Sequence, residues 1–410
     1  VTLHSRSYLV PRRPTVVICV DGFDPSYLQK GIEDGIIPTF SSFAHNGFHE
    51  TAKVAMPSFT NPNNVSIITG VPPAIHGIAG NYFLDRETGK EIMIVDDKLL
   101  RGSTILEQMS KVGVRIAAVT AKDKLRKILT HGLTLDKNAS VCFSAEKAGS
   151  CTLEENGISD VEEFVGRPQP PQFSGELSLF VLDAGIRLLE QDRTDLFYLT
   201  LSDFIQHTHA PREEESDEFY AALDARVARL VELGAKVAIT GDHGMSGKCG
   251  ADGKPDVVFL QDEIEARFGQ GCCRVICPIT DPFVRHHAGL GSLVRIYVDK
   301  NRTQDVDAMI QFCRNFSQVQ IAVSGAEAAE EYEMPLDREG DIVVIASHHA
   351  VIGATRKDHN LDDIKDHKLR SHGGLSEAHV PLMMSEPMQH DASSAGRQWR
   401  NFDIFDLVLN

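Results

Sequence analysis

Nowhere in the 410 residues is there an apolar run of about 18, the length a helix needs to cross a bilayer, so no membrane span is expected. Basic charge is in deficit: 41 Lys and Arg stand against 58 Asp and Glu, a formal balance of −17. Such a surface does not hold nucleic acid nonspecifically, and an anionic substrate has to be drawn in by a local site. The eight cysteines form no Cys-x-x-Cys pair, and Val1 to Pro14 holds no apolar h-region. Buried, reduced thiols in a cytoplasmic protein are therefore the expectation. Internal repeats and low-complexity tracts are missing too. What is there is ordinary globular material, 42% hydrophobic and 24% charged. It suffices for a core without staples and for two or three domains, or one large domain with an insertion.

Over the first 250 residues short β-branched apolar runs alternate with amphipathic helical patterns. That is the pattern of an α/β fold, a largely parallel sheet flanked by helices. Strands are expected at Thr15–Val20, Arg115–Thr120, Leu196–Ser202 and Lys236–Thr240. Helices are expected at Ser103–Val112, Ser178–Gln191 and Ser216–Leu233, the last with Phe219, Leu223, Val227 and Leu230 on one face. The acidic run Glu213–Glu215 reads as a solvated helix start. Each strand runs into an ionisable residue: Asp21, Lys122, Asp203 and Asp242. In open α/β sheets ligands bind at that carboxyl edge. From Phe259 to Asp366 the texture changes to Cys- and His-rich turns with a strand at Leu293–Val298, a helix at Val306–Phe316 and a strand at Asp341–Ala346. This predicts an inserted α+β cap domain over 259–366, with the catalytic core formed by 1–258 and 367–410.

Five constellations carry chemistry. Asp203-x-x-x-His207 and Asp242-His243-Gly244 follow strands, as does Asp21-Gly22, and His372-Gly373-Gly374 marks the return to the core. The fifth is Ser58–Gly70, where Pro62 fits a first helical turn, Gly70 its end, and Thr60 or Asn61 the N-cap. A hydroxyl there faces the positive end of the helix dipole, which favours an alkoxide and a phosphoryl oxygen. Singly, each is satisfied by a capping Asp, a loop His or a tight turn. Together, three Asp, three His and one helix-start hydroxyl are the inventory for two divalent metal ions, a nucleophile and a substrate. Zinc, manganese and iron all accept these ligands. A noncatalytic metal- or anion-binding protein would keep the Asp and His without needing Thr60.

These residues resemble the alkaline phosphatase superfamily, in particular its nucleotide pyrophosphatase/phosphodiesterase branch. The resemblance runs through Pro57-Ser58-Phe59-Thr60-Asn61-Pro62-Asn63, Ser66–Ile78, Asp203/His207, Asp242-His243-Gly244-Met245 and His372-Gly373, in that order, over roughly 15–250 and 370–385. It implies an alkaline-phosphatase-like core and two zinc ions. One is held by Asp203, His207 and His372, the other by Asp21, Asp242, His243 and the oxygen of Thr60, the nucleophile. Asn81 matches an asparagine that hydrogen-bonds a phosphoryl oxygen, and His207 also borders the substrate; His76 is not a ligand in the matched segment and reads as structural. Within the branch, Lys122-Asp123-Lys124 looks suited to a substrate that adds a carboxylate to the phosphorus group. The expectation is a hydrolase cleaving the carbon–phosphorus bond of phosphonoacetate through a phosphothreonine, with Arg285 a further candidate for the carboxylate. His286, His287, His348 and His349 read as cap structure. A phosphodiesterase or nucleotide pyrophosphatase is the rival within the superfamily, and a manganese enzyme of the phosphoglycerate mutase type a third reading. A small anionic phosphonate is the expected partner, with no nucleic acid or membrane, and a homodimer is the default assembly.

Overall fold

Strands buried on both faces need helices above and below them, and four strands of the main sheet are buried at every residue: TVVIC, IAAVT, SVCFS and LFYLT. The computed structural model describes residues 1–281, 287–364, 367–388 and 396–410. In chain order the elements that place the site are β1 (Thr15–Cys19), β2 (Phe48–Lys53), α1 (Thr60–Thr69), β3 (Ile116–Thr120), α2 (Asp123–Leu129) and β4 (Ser140–Ser144). There follow α3 (Glu176–Glu190), β5 (Leu196–Thr200), α4 (Phe204–Thr208), α5 (Glu214–Glu232) and β6 (Lys236–Thr240). A second sheet is built from β7 (Cys273–Ile276), β8 (Leu293–Val298), β9 (Val319–Ser324) and β10 (Ile342–Ala346), with α6 (Val306–Cys313) between β8 and β9, and β11 (His379–Met384) returns to the first.

The main sheet has the order β2-β11-β6-β1-β5-β3-β4. Strands β6, β1, β5, β3 and β4 pair in parallel, and β11 runs antiparallel between β6 and β2. Alternate residues of β1 enter opposite cores: Val16 and Ile18 pack with Phe180 and Leu223 of α3 and α5, while Val17 and Cys19 pack with Ile67 and Ile68 of α1. The second core runs on without a break into Val294, Ile296 and Val344 of the antiparallel sheet β7-β8-β10-β9.

The expected strands and helices fall where the periodicity puts them, with ends shifted by one or two residues; the largest difference is α6, which stops at Cys313 instead of Phe316. There the backbone N–H groups of Asn315 and Phe316 turn back onto Phe312 and Cys313 and end the helix. Strands β2, β4, β7, β9 and β11 carry no clear sequence signal. In β2 (FHETAK) only Ala52 is fully buried, because β2 lies at the sheet edge.

The helix of the Ser58–Gly70 segment departs from expectation in one respect. Its N-cap is Phe59, extended at φ −120° and ψ 159°, so Thr60 is its first residue and neither Thr60 nor Asn61 caps it. The Asn61 N–H is instead met by the side-chain oxygen of Asn81 at 3.3 Å. All ten residues of α1 are buried, polar ones included. That is tolerable because most of the polar groups are paired. Asn64 donates to Asp242 Oδ2 at 3.1 Å and accepts from Tyr198 and Thr200 of β5 at 2.7 Å each.

His76 is part of this packing. Its Nδ1 accepts from the Ile78 N–H at 3.1 Å, so Nε2 is the donor to Ser66 Oγ at 2.9 Å. Burial pushes the imidazole down to about 3, well below the usual 6.5. Unfolded chain therefore takes up this proton first, and stability falls as pH drops from 6.5 toward 3. In His76→Gln the loss of unfolding free energy between pH 6.5 and pH 5 should be smaller by about 2 kcal/mol. Urea unfolding at the two pH values measures it, and an unchanged difference counts against a neutral buried His76.

Candidate metal centre

The parallel strands bring their ionisable residues to one edge. Asp21 follows β1, Lys122 follows β3, Asp203 follows β5, and Asp242 follows β6. Asp21, Asp203 and Asp242 are all buried, together with His207, His243 and His372. His207 sits on α4 four residues from Asp203, with Nε2 2.9 Å from Asp203 Oδ2; His372 Nε2 approaches the same oxygen at 3.8 Å. His243 Nε2 lies 3.1 Å from Asp21 Oδ1 and 3.9 Å from Asp242 Oδ1. Thr60 Oγ1 is 3.4 Å from that nitrogen. The expected residues therefore converge.

One feature is common to the three imidazoles. Nδ1 of His207 meets the Arg370 carbonyl at 2.8 Å, that of His243 the Gly244 carbonyl at 2.9 Å, and that of His372 the Ser58 carbonyl at 2.9 Å. A carbonyl only accepts, so Nδ1 carries the proton in each ring and Nε2 faces the carboxylates. This is the arrangement by which histidine is oriented toward a metal.

Ligand atoms of Asp203, His207 and His372 lie within 4.8 Å of one another, and so do those of Asp21, Asp203 and His243. Asp203 belongs to both groups, where the family resemblance assigned it to one. Among the described residues neither oxygen of Asp21 has a well-aligned hydrogen-bond donor, although both are buried and His243 Nε2 stands 3.1 Å from Oδ1. Asp242 is anchored more firmly, accepting on Oδ1 from the N–H groups of Gly22 (3.2 Å) and His243 (3.1 Å) and on Oδ2 from Asn64. This donor set fits divalent cations: oxygen and imidazole nitrogen, buried, with orphaned carboxylate oxygens.

The charges show why. Burial, and then the neighbouring Asp21, push the Asp242 carboxyl well above its usual range. Burial alone would lower His243, but Asp242 and Asp21 hold it up to about 9. His372 is driven well below 6.5 by burial and by His243 and His207; its ring stacks on that of His243 with centroids 3.5 Å apart, and two imidazolium rings do not stack so closely.

Lys122 and Lys124 occupy the N-cap and second position of α2, where cations are disfavoured by the helix dipole. Each is compensated. Lys122 Nζ donates to Asp203 Oδ1 at 2.8 Å, and Lys124 pairs with Asp281. Burial disfavours the Lys122 ammonium, but the charges of Asp203 and Asp21 reverse this and raise it above the ordinary lysine range. Both lysines line a cavity of about 270 Å³ with Ser202, Phe173, Phe204 and Asp281, so the acid–imidazole cluster adjoins this cavity through Lys122. Asn81 is buried, its oxygen turned to Asn61. Arg285 and His286 lie outside the described residues.

Two residues escaped the sequence reading, and a third, His287, was read there as cap structure. Asn64 orients Asp242, Asp281 pairs with Lys124, and His287 stands with its ring 5.2 Å from that of His207, pushed down to about 3 by burial. Asn64 had a signal, as a polar residue one turn beyond Thr60. Asp281 and His287 had none, since their neighbours are far away in sequence.

A model of the type I phosphodiesterase / nucleotide pyrophosphatase family matches residues 15–375. Among curated proteins, an uncharacterized pyrophosphatase/phosphodiesterase of Schizosaccharomyces pombe is 38% identical over 79 residues; this match spans 19% of the chain and only 16% of that relative's length. Among solved structures, phosphonoacetate hydrolase from Sinorhizobium meliloti 1021 in complex with phosphonoformate is 41% identical with a TM-score of 0.94, covering 100% of this chain and 98% of that one. The same hydrolase in complex with phosphonoacetate gives 40% and 0.93 over the same shares. Murine ectonucleotide pyrophosphatase/phosphodiesterase 5, at 17% identity and a TM-score of 0.64 over 97% of this chain and 94% of that one, shares the fold.

Gly373 allows His372 to reach the cluster. Its φ is +118°, and a Cβ there would stand 2.3 Å from Cε1 of buried Phe59. Gly373→Ala should displace the imidazole and weaken binding of a divalent cation about 10- to 100-fold, measured by chelator competition on purified protein. Unchanged affinity would separate His372 from the metal centre.

Proposed function

The chain belongs to the type I phosphodiesterase / nucleotide pyrophosphatase family, within the alkaline phosphatase superfamily, and on that premise we propose that it hydrolyses phosphonoacetate to acetate and phosphate. The observation that carries the reading is a buried acid–imidazole cluster beside a cavity with two ammonium groups on its wall. Full-length likeness to phosphonoacetate hydrolase supports it. In this reading residues 259–366 form a cap inserted into the core of 1–258 and 367–410, and bring Asp281 to the cavity. The eight unpaired cysteines suit a cytoplasmic enzyme, and a homodimer is the proposed assembly.

Asp203, His207 and His372 would hold one zinc ion, and Asp21, Asp242, His243 and Thr60 Oγ1 the other. Two such ions supply positive charge that lowers the pKa of a coordinated hydroxyl or water and offsets charge on phosphoryl oxygens. Thr60, at the positive end of α1, attacks phosphorus, forming the P–O bond of a phosphothreonine as the P–C bond breaks. Asn81 donates to a phosphoryl oxygen. The electron pair of the broken bond passes to the methylene carbon and on into the adjacent carboxylate. Lys122 and Lys124 hold that carboxylate and stabilise it as its charge grows. A solvent proton completes acetate, and water then cleaves the phosphothreonine to release phosphate and restore Thr60. The family's name favours a second reading, hydrolysis of phosphodiesters or nucleotide pyrophosphates.

Equimolar phosphate and acetate release from phosphonoacetate, with metal content measured on the same sample, tests the reaction. Thr60→Ala should keep its metal and lose turnover by at least about 10³-fold; full activity would remove Thr60 as nucleophile. Lys122→Ala or Lys124→Ala should lower kcat/KM for phosphonoacetate about 10²-fold and for a nitrophenyl phosphodiester far less. Equal losses would mean that the lysines do not read the carboxylate.

A further inference from the structure

Lys124 already has a carboxylate. Its ammonium pairs with Asp281, with side-chain exposures of 9% and 3%. The two residues come from different segments of the cavity wall, Lys124 from the first turn of α2 and Asp281 from the stretch after β7, and both line the cavity. Lys122 stands beside them, bound to Asp203. A buried ammonium is costly without a counter-ion, so whatever takes Asp281 from Lys124 has to bring a negative charge of its own. One carboxylate can replace another on Lys124 with the ammonium still paired, at the cost of releasing Asp281, whereas a ligand without a carboxylate leaves the pair intact.

We propose that Asp281 is a displaceable internal counter-ion that makes carboxylate recognition by Lys124 selective: it occupies the ammonium until a ligand carboxylate takes its place. The inference rests on the reading in which Lys124 faces the substrate's carboxylate. Exchange conserves charge at Lys124, so a carboxylate-bearing phosphonate binds without leaving an ammonium unpaired, and Asp281 returns as the carboxylate product leaves. Without Asp281 the cavity would hold an exposed positive charge that keeps hold of any small carboxylate. Asp281 is thus a positioning residue that lowers affinity for the ligand it helps select.

Phosphonoformate and methylphosphonate, the second lacking the carboxylate, are the probes, titrated calorimetrically into the zinc-loaded protein. In Asp281→Asn, phosphonoformate should bind about tenfold more tightly, the worth of one freed charge-assisted hydrogen bond, and methylphosphonate should be unchanged. Asp281→Glu, which keeps the charge, should bring phosphonoformate back toward the wild-type value. A purely structural Asp281 predicts the opposite sign, weaker phosphonoformate binding in Asp281→Asn, and that result or an equal change for both probes overturns the proposal. Lys124→Ala separates the two layers. If it leaves phosphonoformate affinity unchanged, Lys124 does not meet the carboxylate and both readings fall. If it weakens phosphonoformate alone while Asp281→Asn does not tighten it, only the counter-ion role fails. A crystal structure of the wild-type complex needs no variant: Lys124 Nζ on the ligand carboxylate and off Asp281 supports the exchange, and Lys124 still on Asp281 ends it.

Discussion

Carboxylates buried next to one another repel, and Asp21, Asp203 and Asp242 are buried within one small volume at the sheet edge. In a low-dielectric interior such a group holds its charge only with cations beside it. Among the described residues two stand there, Lys122 on Asp203 and a His243 held up to about 9. They do not suffice, since the Asp242 carboxyl is still pushed well above its usual range. This stored repulsion is what a bound divalent cation would relieve, and the rest of the architecture holds the acids against it.

Holding them falls to groups outside the cluster. Three backbone carbonyls, of Ser58, Gly244 and Arg370, orient the imidazoles, and none belongs to a strand of the main sheet. Behind them stand two buried ion pairs. Lys248 and Glu377 are both wholly buried; Lys248 also donates to the His348 carbonyl at 2.7 Å, and Glu377 accepts from the Gly374 N–H, two residues past His372. Arg295 grips Glu339 with two bonds of 2.6 Å and reaches the Ala79 carbonyl at 2.9 Å, two residues before Asn81. Removing one partner of such a pair costs about 3–5 kcal/mol. The second sheet, through Arg295, thus bears on the position of Asn81 as well as on the cavity.

The same economy runs through the cavity wall. Cations at a helix N-terminus work against the dipole, and Lys122 and Lys124 are tolerated there because Asp203 and Asp281 neutralise them. A group kept in an unfavourable place by a partner that can be exchanged is poised for a ligand. Lys122 and Lys124 differ in that partner: one shares Asp203 with the imidazoles, the other pairs with Asp281.

Local chemistry determined a good part of this from the chain alone. Apolar runs and period-3.6 patterns act between near neighbours, so β1, β3, β5, β6, α3 and α5 were legible, and so was the placing of Asp21, Lys122, Asp203 and Asp242 at strand ends. The i, i+4 spacing of Asp203 and His207 is likewise a local fact. What only the tertiary structure decided are relations between residues far apart in the chain: Asp203 shared by two ligand groups, Asn81 in place of a capping side chain for α1, Asp281 on Lys124, and His287 beside His207. No periodicity encodes these, because each is set by how the layers pack and by which buried charge finds which counter-charge when water is excluded.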